Sequence, residues 1–136
     1  RALSSFFLDG KTQEEMAKRD QEEIRDSYSR FYFRFDGGES NLEVYTRVCS
    51  FLIDLQHEWK KIYENAVLVT HGMTGRVLLM KLLDLTVEQF ELMRNPKNCQ
   101  FYILNLVHNK YELDSSTPIV YHETPTHAHQ YPIQLK

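Results

Sequence analysis

Apolar residues recur at helical spacing along two stretches of the chain. The first follows Ser40, which with Glu43 forms a capping-box start, and it continues to Tyr63. The second covers residues 73–83. Each stretch predicts an amphipathic helix. In the first helix the predicted inner face comprises Tyr45, Val48, Cys49, Leu52, Leu55, Trp59, Ile62 and Tyr63, and the outer side comprises Glu43, Arg47, Gln56 and Lys60.

Two further capping signals predict additional helices. Thr12 and Glu15 begin a highly charged run that continues to residue 29, and its charge predicts a helix that mostly faces water. Thr86 and Gln89 begin a short helix by the same pairing.

Two apolar runs predict β-strands. Residues 65–70 are largely apolar without alternation, which is typical of a strand covered on both faces in a parallel sheet. Residues 99–106 predict a second strand. We therefore expect a sheet with helices in one domain of residues 1–122. Residues 123–136 mix His, Thr, Pro and Gln without a period, which predicts a surface tail.

Composition narrows the classes of function. The 136 residues include 16 Lys and Arg against 19 Asp and Glu, giving a net charge of −3, so no bulk positive field favours nucleic acid or an anionic membrane. The apolar runs are far shorter than the roughly 20 residues of a membrane span. Cys49 and Cys99 lie in predicted elements without metal-ligand spacing, which favours buried, reduced thiols. We therefore expect a soluble, cytoplasmic protein.

The main candidate for chemistry is His71, which follows the first predicted strand. Ligands of parallel sheets bind beyond the carboxyl ends of strands, and a helix that begins there points free N–H groups at an anion. Gly72 would let the backbone turn sharply, and Arg76, about one helical turn later, would reach the same space. These groups suit charge stabilisation on a phosphoryl group. The alternative is a structural histidine in a turn beside a solvated arginine.

A second candidate site lies between the aromatic run and the long helix. Arg34 precedes Gly37 and Gly38, whose backbone would approach a ligand closely, and a guanidinium binds phosphate through two hydrogen bonds. Glu39 would orient a neighbouring histidine or arginine. The alternative is that Glu39 only interacts with the positive end of the helix dipole.

The remaining histidines and aromatic residues predict no further site. His122, His127 and His129 lie in or beside the proline-containing tail, where nothing fixes the geometry of a metal site, so we expect no metal. His57 and His108 are expected at the surface. The aromatic residues of the run 31–35 are expected to pack against the core rather than to stack on a substrate.

Both candidate sites, taken together, resemble the histidine phosphatase superfamily, the phosphoglycerate-mutase-like proteins, over about 100 residues from Asp9 to Leu106. The resemblance is carried by order and spacing rather than by one motif. The matching residues are Asp9-Gly-Lys-Thr12, Phe33-Arg-Phe35, Gly38-Glu-Ser40, Val44-Tyr-Thr-Arg-Val48, Val67-Leu-Val-Thr-His-Gly72, Arg76, Leu79-Met80, Val87-Glu-Gln-Phe90 and Asn98-Cys99.

The resemblance implies a three-layer α/β/α fold with a mainly parallel sheet and phosphoryl transfer through a phosphohistidine. It implies that His71 is the second active-site histidine, which stabilises charge on the transferring group, and that Gly72, Arg34, Glu39 and Arg76 are pocket residues. It implies no metal and no organic cofactor. The family's nucleophile is a histidine in an Arg-His-Gly motif, and that motif does not occur in this sequence.

Several positions depart from the family pattern. In one register Ala2 stands where similar proteins have the acid that protonates the leaving group; in another register Arg1 is a phosphate ligand. Gly37 stands where the sugar-bisphosphatase branch has lysine, and Gly72 where that branch has glutamine. The substrate therefore stays open.

The sequence thus predicts a phosphatase acting on a small phosphorylated metabolite, of which this chain is the C-terminal portion lacking the first strand or strands and the nucleophile. The alternatives are an inactive relative that keeps a phosphate pocket and an unrelated α/β interaction domain. Because residues 67–69 need strand neighbours, we expect either an N-terminal segment or a second copy of the chain to complete the sheet.

Overall fold

The computed structural model describes residues 13–59 and 64–123. Four helices precede a β-hairpin in this part of the chain. The elements are α1 (Gln13–Tyr28), α2 (Asn41–Trp59), α3 (Gly72–Leu82), α4 (Val87–Leu92), β1 (Leu104–Val107) and β2 (Lys110–Leu113). None of the described helices is long and apolar enough to cross a membrane.

The core lies between α2, α3 and α4. Helix α2 packs on α3, and α3 packs on α4. Val77 and Phe90 are fully buried at the centre, and Phe31 from the loop before α2 joins them. The Phe31 ring meets the Phe90 ring edge to face, with 5.4 Å between centroids. This confirms the expected packing role for Phe31, whereas Tyr32 of the same aromatic run is 48% exposed. The helical spacing of α2 correctly placed Val48 and Leu52 inside.

Two of the three predicted capping boxes are present. The backbone N–H of Ser40 donates to the Glu43 carboxylate at 2.7 Å, and the N–H of Glu43 donates to Ser40 Oγ at 3.2 Å. Thr86 and Gln89 make the same reciprocal pair at the start of α4, at 2.8 and 3.2 Å. These bonds satisfy N–H groups that lack a partner inside the helix. Thr12, of the third box, lies outside the described residues.

The sheet differs from the expected one. Strands β1 and β2 form an antiparallel pair in which Leu104 lies opposite Leu113. Their turn consists of His108 and Asn109, which both have positive φ, at 48° and 63°. The predicted strand at residues 99–106 is therefore shortened and shifted to Leu104–Val107, and its partner is the following segment of the chain.

Residues 65–70 form no strand, and the described residues contain no parallel pair. Val67 and Val69 are 88% and 94% exposed. The described residues that do pair have other partners: β1 pairs with β2, and Tyr121 forms an isolated antiparallel bridge with Met93. The three-layer parallel arrangement is therefore not what these residues form among themselves. Helices and a small sheet are consistent with the broader α/β class.

The exposure of the cysteines and of two histidines was also predicted from the sequence. Both described cysteines are free thiols, but Cys99 is exposed at a position with φ 60°, so the expectation of a buried thiol was wrong there. His57 and His108 are exposed, as expected. Residues 124–136 of the predicted tail lie outside the described residues.

Phe90→Ala should lower the free energy of unfolding by about 3–5 kcal/mol, because it removes a fully buried ring and leaves a cavity. The matched control is Phe101→Ala, since Phe101 is 68% exposed; its effect should stay within about 0.5 kcal/mol. Denaturant unfolding measures both changes. Equal losses in the two variants would contradict the core described above.

The Ser40 cap generates a pH-dependent prediction. The backbone N–H and hydroxyl of Ser40 hold the pKa of the Glu43 carboxyl below its usual 4.5. A pKa lowered by folding adds stability above the unfolded pKa, and that stability is lost as pH falls through the folded pKa. Glu43→Gln should therefore lower the thermal midpoint at about pH 7, and the difference should shrink toward about pH 3. Glu64→Gln, at an exposed position outside the helices, is the control; a difference for Glu43→Gln that is constant with pH would argue against this cause.

Candidate functional site

His71 occupies the N-cap position of α3. Its backbone is extended, with φ −88° and ψ 160°, and its carbonyl accepts the first helical hydrogen bond from Gly75 N–H at 2.8 Å. Its side chain makes no capping bond and is exposed. The imidazole is thus free to meet a ligand beside the first N–H groups of α3, which have no acceptor within the helix. The sequence predicted this helix start, but the strand that it placed before His71 is not formed among the described residues.

Gly72 is the first residue of α3, and its backbone is not in the left-handed region. The expectation that this glycine permits a sharp turn is therefore not supported; Gly37, with φ 71°, is the described glycine with positive φ. A Cβ on Gly72 would lie 3.6 Å from ring carbons of Pro96, which is an ordinary contact distance. Gly72 is thus the point where the loop after α4 meets the His71 turn.

Arg76 does not share an open space with His71. Its side chain is 5% exposed, and its guanidinium lies over the Phe90 ring, 4.6 Å from the centroid. Nη2 donates to the Phe90 carbonyl at 2.6 Å, and Nη1 donates to Asn95 Oδ1 at 3.1 Å. Burial is the main cause that lowers the Arg76 pKa to about 10, and the nearby positive charge of Arg30 adds to it. The group stays charged near neutral pH and holds protein acceptors.

Arg34 lies in the loop before α2, and its side chain contacts Gly38 and Glu43. Its Nε donates to the Gly38 carbonyl at 2.8 Å, and its Nη1 lies 3.5 Å from Glu43 Oε1. Its side chain is 64% exposed. Neither of these contacts involves His71. The glycine-containing loop therefore organises Arg34, while an exposed ion pair of this kind contributes little stability and is easily exchanged.

Glu39 binds Arg47 of α2 through both carboxylate oxygens. Arg47 Nε donates to Oε1 at 3.0 Å, and Nη2 donates to Oε2 at 2.7 Å. Of the two interpretations of Glu39, this geometry matches the one in which it orients an arginine. The sequence pattern placed Arg47 only on the outer side of its helix. No periodic signal in the sequence marks this pair, because Glu39 lies in the loop and Arg47 lies in the second turn of α2.

A groove of about 350 Å³ lies between α2, residues 67–70 and α3. Arg47, Thr70 and Thr74 supply its polar groups, and Phe51 and Val67 are among its apolar residues. Thr70 and Thr74 flank His71 in sequence, so the groove opens beside the His71 turn. The structure therefore brings Arg47 and Glu39 to the edge of this groove and directs Arg76 away into the core.

The described residues contain no group of three His, Cys, Asp or Glu side chains suited to hold a metal. Of the three histidines near the tail, His122 is described; its backbone N–H donates to the Leu92 carbonyl at 2.8 Å. His127 and His129 lie outside the described residues. His71 at the start of α3 and the arginines beside α2 remain the candidate groups for binding an anion.

Comparison with known proteins agrees with the resemblance drawn from the motifs. The family model of the histidine phosphatase superfamily (branch 1) matches residues 7–117. Phosphoglycerate mutase-like protein AT74H of Arabidopsis thaliana is 40% identical over 105 residues, covering 71% of this chain and 37% of that protein. Phosphoglycerate mutase-like protein AT74 of the same plant is 38% identical over 99 residues, covering 65% of this chain and 30% of that protein.

A third relative has an enzymatic name. Broad-range acid phosphatase DET1 of Saccharomyces cerevisiae is 39% identical over 101 residues, covering 69% of this chain and 30% of that protein. The chain thus spans about a third of the length of these relatives. No solved structure matches. Because the family match covers most of the sequence and includes both candidate sites, the chain belongs to the histidine phosphatase superfamily.

Proposed function

We propose that the protein hydrolyses a small phosphorylated metabolite through a phosphohistidine, and that His71 stabilises the transferring phosphoryl group. Membership of the superfamily and the similarity to an acid phosphatase support phosphatase-type chemistry. The observation that carries the role of His71 is its placement: an exposed imidazole at the N-cap of α3, without a capping bond. A phosphoryl oxygen there would receive hydrogen bonds from the ring and the helix N–H groups.

The proposed reaction has two steps. A histidine of an Arg-His-Gly motif, outside these 136 residues, attacks phosphorus; an N–P bond forms, the P–O bond to the alcohol breaks, and the alcohol leaves with a proton from an acid. Water then attacks phosphorus and gives one proton back to the deprotonated acid, the N–P bond breaks, and inorganic phosphate leaves. His71 contributes by hydrogen bonding to the phosphoryl oxygens in both steps. No metal or organic cofactor takes part in this scheme.

Arg34 and Glu39 are proposed as substrate-binding residues with different tasks. The ion pair of Arg34 with Glu43 is exposed and weak, so a phosphate dianion would compete for the guanidinium. Glu39 would act by orienting Arg47 at the edge of the groove. Gly72, whose Cβ position faces Pro96, would contribute its backbone N–H at the start of α3. We assign Arg76 no direct contact with substrate, because its guanidinium is held by Phe90 and Asn95.

An inactive, phosphate-binding relative is the second candidate. It is favoured by the lack of an Arg-His-Gly motif in this sequence and by the alanine at position 2, where one register places the acid. Such a protein would bind phosphate through the same His71 turn but would not turn over a phosphate ester.

We also propose that the protein works in the cytoplasm.

His71→Ala in the complete protein should lower phosphatase turnover by roughly 10²-fold or more, because it removes a charge-stabilising donor from the transition state. Hydrolysis of p-nitrophenyl phosphate measures the change. His108→Ala is the matched control, since His108 lies exposed in the β-hairpin turn. Unchanged turnover in His71→Ala removes His71 from the mechanism, and absence of turnover in the unaltered complete protein supports the inactive relative.

We also propose that residues 67–69 pair with a strand from elsewhere, which would extend the fold to the family's three-layer parallel sheet. Val67 and Val69 are almost fully exposed, and burying such side chains in a sheet removes about 25 cal/mol of unfavourable hydration per Å² of apolar surface. An N-terminal segment of the same protein and a second copy of this chain are the two sources considered.

Hydrogen exchange of the complete protein tests this pairing. Amides within residues 67–69 should be protected from exchange at alternate positions, because successive N–H groups of a strand point to opposite sides and one strand neighbour accepts from every second residue. The exposed residues 64 and 65 provide the comparison. Protection that disappears on dilution indicates a second copy, and protection that is independent of concentration indicates the same polypeptide. Unprotected amides at every concentration would refute the pairing.

A further inference from the structure

The buried guanidinium of Arg76 joins three parts of the chain. It projects from α3, lies over the Phe90 ring, and donates to the Phe90 carbonyl in α4 and to the Asn95 side chain in the following loop. A buried cation is tolerated only where acceptors and neighbouring rings replace its lost hydration. The proposed reaction uses none of these contacts. The arrangement therefore has a task other than direct binding of substrate.

The contacts continue from Asn95 to the His71 turn. Asn95 precedes Pro96, whose ring carbons lie 3.6 Å from the position that a Cβ would occupy on Gly72. Gly72 in turn follows His71 directly. Arg76 and Gly72 both lie in the first two turns of α3. The bond from Arg76 to Asn95 and the approach of Pro96 to Gly72 therefore connect the loop after α4 to two positions at the start of the helix.

We infer that Arg76 and Asn95 are positioning residues that hold the loop at Pro96 against Gly72 and thereby fix the His71 ring for phosphate. The inference rests on the proposed role of His71 and adds two residues that act through the turn. Asn95 supplies one acceptor oxygen, Oδ1, to Nη1. Arginine is needed because its rigid fork reaches a main-chain and a side-chain acceptor at once; lysine presents a single flexible ammonium.

The side chain of Asn95 offers the cleaner test, because residue 95 is exposed and its substitution opens no cavity in the core. Asn95→Leu keeps the approximate size but removes the oxygen. Asn95→Asp keeps an oxygen at the same place and should retain the bond to Arg76. Arg76→Lys is the partner variant. Arg94→Lys is the control for Arg76→Lys, because it makes the same substitution at an exposed arginine next to Asn95.

The measurement is the NMR signal of the His71 ring in the complete protein, assigned by its loss in His71→Gln, with and without inorganic phosphate. Asn95→Leu and Arg76→Lys should shift or broaden the His71 signal more than that of His108. Asn95→Asp and Arg94→Lys should leave both signals in place. The shift of the His71 signal on addition of phosphate should decrease in Asn95→Leu and Arg76→Lys. It should persist in Asn95→Asp and Arg94→Lys.

Other outcomes overturn the inference. A lower melting temperature in Asn95→Leu with an unmoved His71 signal would show that the contacts serve stability alone. Loss of phosphate binding in Arg76→Lys with an unmoved His71 ring would make Arg76 a direct ligand. Should Arg76→Lys fail to fold, the comparison of Asn95→Leu with Asn95→Asp decides. None of these signals depends on turnover, so failure here is distinct from failure of the proposed phosphatase activity.

Discussion

The burial of one positive charge, on Arg76, constrains how α3 and α4 pack against each other. Removing a guanidinium from water costs several kcal/mol unless acceptors replace the lost hydration. Two charge-assisted hydrogen bonds and the Phe90 ring provide that replacement, while Nε finds no acceptor among the described residues. Because the acceptors lie in α4 and the loop after it, α3 and α4 can dock in few other ways. This costly burial lies about one helical turn from His71, the residue proposed to bind the phosphoryl group.

Local chemistry made several elements predictable. The pairs Ser40 with Glu43 and Thr86 with Gln89 each specify a helix start through bonds within three residues, so no tertiary information is needed. The hairpin was missed because its turn, His108-Asn109, lacks the glycine that usually marks a two-residue turn. The strand at residues 65–70 was overpredicted for the opposite reason. An apolar pattern indicates what a segment can pair with, but pairing requires a partner, and β1 is taken by β2.

In the candidate site, too, features set by adjacent residues were predicted, and features set by distant residues were missed. The position of His71 at a helix start follows from adjacent residues and was predicted correctly. The direction of Arg76 was not, because helical spacing places residue 76 near residue 72 but leaves open whether the side chain turns to solvent or to the core. Its acceptors lie 14 and 19 residues farther along the chain. Such separations carry no periodic signal, and the same holds for the bidentate pair of Glu39 and Arg47.

The two sides of the His71 turn are held very differently. After the turn, α3 is anchored by Arg76 and by the fully buried Val77, so the helix start has a defined position. Before the turn, Val67 and Val69 expose nearly all of their surface, and residues 65–70 form no strand. A phosphoryl site needs its groups fixed to within a fraction of an ångström. In the proposed reaction the nucleophile belongs to a segment outside these residues, so the anchored side alone does not set its approach. Under the proposed strand pairing, covering residues 67–69 would remove exposed apolar surface and would hold the chain on the other side of His71.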